Sequence, residues 1–329
     1  MTTYKEIYGT NVEVLASDPT NPVEGQIWYN STSQTLKGYA LVAGSWATSG
    51  PLNTARNQLA GAGIQTAALA FGGQTTVAVG NNESYNGTSW TSSPASLNTA
   101  RRLLGGCGAT NTASLAFGGL STVNVGDTEN WNGTSWTEVN NLNTVRREFA
   151  GSVGTNTAAL AVGGNIPPNT ADNESWNGTS WTEVNNLNTA RRQGAGAGIQ
   201  AAGLVFGGES TPGAIVGNTE SWNGTSWTEV NDLNTARYGT MGGTGIQTAA
   251  LCFGGYLTGS PTFTVTGITE SWNGTSWTEV NDLNTARTSL GGAGNQTSSL
   301  AFGGVTTVVL ASTEEWSGPA VQTVNITVS

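Results

Sequence analysis

Histidine is absent from the 329 residues. With it go the commonest metal ligand and the usual general base at neutral pH. Ser-His-Asp and Cys-His nucleophilic arrangements go too. Lysine is almost missing: Lys5 and Lys37 stand alone, and neither sits in the Gly-Lys-Ser/Thr context of a phosphate-cradling loop. Cysteine occurs twice, at Cys107 and Cys252, in non-equivalent places of the repeat described below; buried free thiols are expected rather than a disulfide. Positive charge is scarce, with 11 Lys+Arg against 21 Asp+Glu and a net charge of -10, so the basic footprint of a nucleic-acid binder is lacking. No apolar run approaches the ~20 residues that span a membrane. The opening Met1-Thr-Thr-Tyr-Lys-Glu6 has no apolar stretch behind it, so no signal peptide is expected. With charged residues at only 10% and 47 glycines, polarity comes from Ser, Thr, Asn and Gly, which suits turns and strand surfaces.

What is present is repetition, the first thing to settle in such a chain. A Leu-Asn-Thr-Ala/Val-Arg block ends at Arg56, Arg101, Arg146, Arg191, Arg237 and Arg287. A Gly-Gly pair follows each, starting at Gly72, Gly118, Gly163, Gly207, Gly254 and Gly303. A tryptophan precedes each Arg by ten or eleven residues: Trp46, Trp90, Trp136, Trp181, Trp227 and Trp277. The period of 45 to 50 residues is the length of a propeller blade.

Each unit reads as four strands, a to d. Strand a is the Gly-rich stretch after the Arg, as in Leu59-Ala-Gly-Ala-Gly63, and strand b is Thr66-Ala-Ala-Leu-Ala-Phe71. Strand c ends in Glu129-Asn-Trp131, and strand d runs from Ser135-Trp136 to Val139. Asn132-Gly133 reads as a two-residue hairpin turn with both residues at positive φ. That turn sets Trp131 opposite Thr134 and Glu129 opposite Trp136, all on one face, expected to pack on the next blade. The inter-blade aromatics are then Trp46, Trp90, Trp131, Trp136, Trp176, Trp181, Trp222, Trp227, Trp272, Trp277 and Trp316. A glutamate under two indoles needs a partner. Six Glu (Glu83, Glu129, Glu174, Glu220, Glu270 and Glu314) match the six Arg, so structural ion pairs are expected rather than an anion site.

Five units are complete from Arg56 onward, whereas the sixth ends near Trp316 without a strand d. Ser45-Trp46-Ala-Thr48 carries that strand's signature with no a, b or c before it. The expected architecture is all-β: a six-bladed propeller over residues 40–318, its last blade closed by the N-terminal strand. Closure of this kind removes exposed sheet edges. Residues 1–39 and 319–329 read as short β extensions that form a small module.

These residues resemble the kelch repeat: a hydrophobic strand ending in Gly-Gly, an aromatic, a Trp, then Leu-x-x-x-Arg, here Leu69-Ala-Phe-Gly-Gly73, Tyr85, Trp90 and Leu97-Asn-Thr-Ala-Arg101. The turn between c and d is shorter than is usual in that family, so rim contacts are not carried over. The copper radical oxidases among kelch-type propellers need His ligands, which this chain lacks. The Asn-Gly-Thr-Ser-Trp blocks lack the Asp of sialidase boxes. Glu138, Glu183, Glu229 and Glu279 recur blade by blade, which suits scaffold or solvated faces better than the carboxylate pair of a glycosidase. No ligand spacing for calcium surrounds Asp127 or Asp172. The Asn-Gly-Thr sequons at Asn86, Asn132, Asn177, Asn223 and Asn273 are accounted for by turn chemistry. No enzyme activity, metal or cofactor is expected.

A second, shorter stretch, Asn21-Pro-Val-Glu-Gly-Gln-Ile-Trp-Tyr-Asn-Ser-Thr32 followed by Leu36-Lys-Gly-Tyr39, resembles the start of bacteriophage virion proteins, those of tail fibres and capsid decorations in particular. The resemblance implies a structural or decoration protein of a virion, assembled in the host cytoplasm and docked on other virion proteins through residues 1–39 and 319–329. A different reading is a receptor-binding or lectin-like module for host surface glycans. Loop lengths favour one rim for that role. From the second glycine to the strand c aromatic there are 12 residues in four blades, 14 in the fourth and 17 in the fifth. Scaffold segments tolerate little change in length, whereas loops do. The candidate rim residues are Asn165, Glu209, Thr211, Pro212, Tyr256, Thr258 and Phe263.

Overall fold

The structure is a computed structural model that describes residues 12–239, 241–259 and 261–327. The chain divides into two compact units, Ser45–Ser317 and the flanking residues up to Gly44 with those from Gly318. Every regular element among the described residues is a strand.

Within Ser45–Ser317 the described residues form six four-stranded antiparallel sheets, each a propeller blade. The first contains Ala60–Ile64, Ala67–Phe71, Asn82–Tyr85 and Trp90–Ser92, strands a to d. The second contains Gly105–Thr110, Ala113–Phe117, Thr128–Trp131 and Trp136–Val139. The third contains Gly151–Gly154, Ala159–Asn165, Asn169–Trp176 and Trp181–Val184. The fourth contains Ala195–Ile199, Ala202–Phe206, Thr219–Trp222 and Trp227–Val230. The fifth contains Gly242–Ile246, Ala249–Phe253, Thr269–Trp272 and Trp277–Val280. In the sixth, Gly291–Asn295, Ser298–Phe302 and Thr313–Ser317 are completed by the N-terminal Ser45–Ser49, with Trp316 opposite Trp46. Each strand a packs on that of the following blade, and the sixth packs on the first.

The glycines of strand a follow from that crowding. A Cβ on Gly61 would lie 2.4 Å from the Gly292 carbonyl oxygen of the neighbouring blade, so only hydrogen fits there. The apolar residues of strand b are buried between blades. In five interfaces a Phe ending strand b meets the strand d Trp of the following blade, as Phe71 meets Trp136 with centroids 5.0 Å apart. In the remaining interface Val162 takes the place of the Phe beneath Trp222 and Trp227. The Trp-bearing face therefore packs on the preceding blade, not the next one.

The hairpin between c and d also differs from the expected one. Trp131 pairs with Trp136 and Glu129 with Glu138, so the loop is the four residues Asn132 to Ser135. The Asn132 Oδ1 accepts the backbone N–H of Thr134 and Ser135, both at 2.9 Å, and only Gly133 takes a positive φ, +93°. An Asx turn thus replaces the two-residue turn. Trp131, Trp136 and Glu129 still share one face.

The flanking unit is one sheet of Glu13–Leu15, Ile27–Asn30, Thr35–Val42 and Ala320–Asn325. The first two strands run parallel and the C-terminal strand lies antiparallel to Thr35–Val42. The expected β module therefore forms from both chain ends. Its third strand continues past residue 39 to Val42, so the segment outside the repeats reaches Gly44. Asp18 organises it: the carboxylate accepts hydrogen bonds from Lys37 Nζ (2.8 Å), Asn30 Nδ2 (2.7 Å) and the indole of buried Trp28 (3.1 Å). Those bonds, from Lys37 first, hold Asp18 down at about 2.

Candidate ligand-binding rim

The Leu-Asn-Thr-Ala/Val-Arg linker leaves strand d of one blade and enters strand a of the next. Its leucine is buried in the interface, as Leu97 is beside Trp131 and Trp136. The following blade's glutamate then gathers the rest of the linker. Glu129 Oε2 accepts Asn98 N (2.7 Å) and Asn98 Nδ2 (2.9 Å), while Oε1 accepts Thr99 N (3.4 Å) and lies 3.1 Å from Arg101 Nη2. Every blade repeats the pair. Arg56–Glu83 is at 3.3 Å, Arg146–Glu174 and Arg237–Glu270 are at 2.5 Å, and Arg191–Glu220 and Arg287–Glu314 are in contact. All six Arg are fully buried, and five also reach strand b carbonyls, as Arg56 reaches Ala70, while Arg287 reaches the Gly303 and Ser312 carbonyls. Burial pulls the Arg56 guanidinium down to about 10, with Glu83 opposing it. These arginines are scaffold and cannot meet a ligand.

Two residues beyond each Arg, a second feature emerges that sequence reading missed. Gln58, Leu103, Glu148, Gln193 and Ser289 all adopt φ between 53° and 55°, and Gly239 occupies the sixth place at 105°. The N–H of each donates to the carbonyl of its counterpart in the preceding blade: Leu103 to Gln58 (2.9 Å), Glu148 to Leu103 (3.0 Å), Gln193 to Glu148 (3.0 Å), Gly239 to Gln193 (3.0 Å), Ser289 to Gly239 (2.8 Å) and Gln58 to Ser289 (2.8 Å). The circuit closes on itself, so backbone groups that would otherwise be orphaned are satisfied around the mouth of the central channel. Only the glycine in Arg237-Tyr-Gly239 hints at the left-handed conformation, because the other five are residues that rarely adopt it.

The loops between b and c lie on the same side as this ring. In blades 1, 2 and 6 they are short and close on themselves, as in Thr75 N to Val77 O and Val79 N to Gly73 O. In blades 3 and 4 side chains meet across the blade boundary, and in blade 5 the loop packs on its own linker. Asn165 Nδ2 donates to Asn169 Oδ1, and Asn169 Nδ2 to the Glu209 carbonyl of the fourth blade. Arg192 donates to Glu148 Oε2 (2.6 Å) and to both oxygens of Glu209 (3.1 and 3.2 Å). Burial opposes the Arg192 charge, but the two carboxylates outweigh it and raise its pKa. Tyr238, Tyr256 and Phe263 form a staircase of rings with centroids 5.5 and 5.3 Å apart. Burial, then the charge of Glu209, raises the Tyr238 hydroxyl.

Together they enclose a cleft of about 490 Å³ lined by Glu148, Arg192, Glu209, Tyr238, Tyr256 and Phe263 over part of the ring. A second basin of about 350 Å³ holds Asn165, Thr211, Pro212, Arg147 and the Pro167-Pro168 turn. Arg192, Glu209 and Gly213 line both. Six of the seven candidate rim residues thus line this groove. The seventh, Thr258, instead braces the loop through bonds with Thr262 and Thr264. Sequence reading missed Arg147, Glu148, Arg192 and Tyr238. The Arg-Arg doublets were visible, but beside an invariant Arg nothing marked the second as facing the opposite way.

Cys107 and Cys252 are both free and buried. Burial raises the Cys107 thiol to about 12, and that of Cys252 to about 11 despite Arg237 nearby. Among the described residues no helix is long and apolar enough to cross a membrane.

No protein-family profile matches the chain, and no curated protein does. Solved structures do: 410 chains match, among them YjhT, at TM-score 0.66 and 12% identity over 84% of this chain and 96% of that one. At that identity the likeness shows a shared propeller fold and nothing of function.

Proposed function

We propose that the chain is a non-catalytic recognition module of a phage virion, with kelch-like blades. The propeller offers the groove of blades 3 to 5 to carbohydrate on a host surface. The terminal β unit attaches it to other virion proteins. The groove carries the recognition half: an aromatic staircase ending at solvent beside a buried-to-exposed cluster of carboxylates and guanidinium groups is a surface suited to polyhydroxylated ligands. A glycan-array screen tests it, and absence of binding at high protein concentration refutes it.

The attachment half rests on the terminal unit's own surface. Val14, Val23, Ile27 and Leu41 are exposed there, and Val14 and Ile27 share one face of the sheet, an apolar footing for a partner protein. Deleting residues 1–39 should abolish incorporation into particles; unchanged incorporation refutes this half alone.

A further inference from the structure

We infer that the groove takes an uncharged saccharide of at least two rings, an inference that rests on the carbohydrate reading above. Charge is the first ground. Arg192 is already held by Glu148 and by both oxygens of Glu209, and Arg147 lies 3.6 Å from Glu148. Two guanidinium groups and two carboxylates cancel within the groove. An anion meeting Arg192 must displace carboxylates that are fixed in place, and a cation meets Arg192 between them. A vicinal pair of hydroxyls has no such conflict, because each donates to a carboxylate oxygen and accepts from a guanidinium N–H at once.

The rings supply the second ground. Tyr238 is buried and Tyr256 lies against it, so Phe263 is braced from behind while 56% of it remains exposed. A fixed flat ring facing solvent next to hydrogen-bonding groups offers the C–H face of a sugar its match without a deep apolar pocket. A peptide anchor would need such a pocket. Length is the third ground. The basin over Pro167, Pro168 and Pro212 continues from the aromatic cleft, and Arg192 and Glu209 stand at the boundary, where they serve a ring on either side.

The full chain should be screened on an array holding neutral, sialylated and sulfated glycans, then titrated with a length series of its best neutral ligand. Selective neutral binding, with the disaccharide at least about tenfold tighter than the monosaccharide, is expected. Phe263→Ala should weaken that ligand about tenfold or more, while Val123→Ala on the opposite half of the rim leaves it unchanged. Glu209→Gln frees charge on Arg192 and should admit acidic glycans. Preference of the unaltered chain for acidic glycans, equal affinity for one ring and two, or indifference to Phe263→Ala overturns the inference while leaving carbohydrate recognition standing. Binding to no glycan of any class overturns both.

Discussion

Asn82→Thr should stabilise the propeller. In four blades the strand d indole donates to a strand c threonine of the preceding blade: Trp46 to Thr269 (3.1 Å), Trp90 to Thr313 (2.9 Å), Trp181 to Thr128 (3.0 Å) and Trp277 to Thr219 (3.1 Å). In the other two blades that threonine is an asparagine, Asn82 or Asn173, and the indoles facing them, those of Trp136 and Trp227, have no partner. The two asparagines are not alike. Asn173 Oδ1 accepts Gly163 N at 3.0 Å and its Nδ2 donates to Asn185 O at 2.9 Å, whereas both polar atoms of Asn82 are buried and unpaired. A net hydrogen bond contributes about 1 kcal/mol and a buried unpaired group costs about 1–3 kcal/mol. Asn82→Thr removes the unpaired amide, gives Trp136 an acceptor and suits a strand better. Its expected gain is about 1–3 kcal/mol. Asn173→Thr gives up two bonds to make one and should be neutral or destabilising. Thr128→Asn should lose what Asn82→Thr gains. Equilibrium guanidinium unfolding, read as a shift in midpoint at constant slope, measures all three. Equal responses of Asn82→Thr and Asn173→Thr would refute the reasoning, because it rests on the difference between those sites.

The interface between the sixth and first blades carries a further lock: Tyr85, in place of the usual Trp, donates to Glu315, as does Ser49 Oγ at 2.8 Å. Tyr85→Phe should cost about 1–2 kcal/mol in the same unfolding assay, and no loss would show the lock to be idle. Truncating the linker clamp leaves a buried guanidinium alone, so Glu129→Ala should cost about 3–5 kcal/mol or prevent folding; a cost comparable with that of Glu138→Ala on the solvated face would contradict the clamp. Asp18 is depressed from 3.8 to about 2, so its contribution is full above pH 4 and is lost as pH falls through about 2. The Trp28 indole N–H resonance should move over that range, and Asp18→Asn should abolish the movement.

The parts of the fold that were legible in the sequence are those that every blade must repeat. Leu97, Glu129, Trp136 and Arg101 meet in one interface, so none can change alone, and their counterparts recur at fixed spacing. The closing strand was readable for the same reason: Trp46 carries half of a motif whose other half is at Trp316. The Asx turn was not readable, because Asn-Gly suits two turn geometries and only the side-chain oxygen of Asn132 selects between them. The left-handed ring was hidden because its constraint falls on backbone groups, which admit Gln, Leu, Glu, Ser and Gly alike. Glu148 and Tyr238 were missed with it, since their neighbours in space come from other blades.

Why the rim differs around the ring is a question the scaffold itself sharpens. Inter-blade contacts fix the linkers, the tryptophans and the channel mouth, and repeated backbone bonds hold both ends of each loop between b and c, as Gln74 pairs with Asn57 and Gly80 O accepts Leu97 N, but the middle of each loop carries no contact that all blades share. Lengthening a free loop costs little, so unselected drift would alter such loops independently of one another. The observed loops are not independent. The altered ones are neighbours, lengthened in blades 4 and 5 and reshaped at unchanged length in blade 3, and blades 3 and 4 meet across their boundary: Asn169 on the Glu209 carbonyl and Glu148 on Arg192, which Glu209 of its own blade also holds. Each contact needs residues from two loops, from two linkers or from a loop and a linker. The contacts that blades 3 and 4 share across their boundary are what a single surface requires and what separate drift does not supply, and they favour this part of the rim for the proposed recognition role.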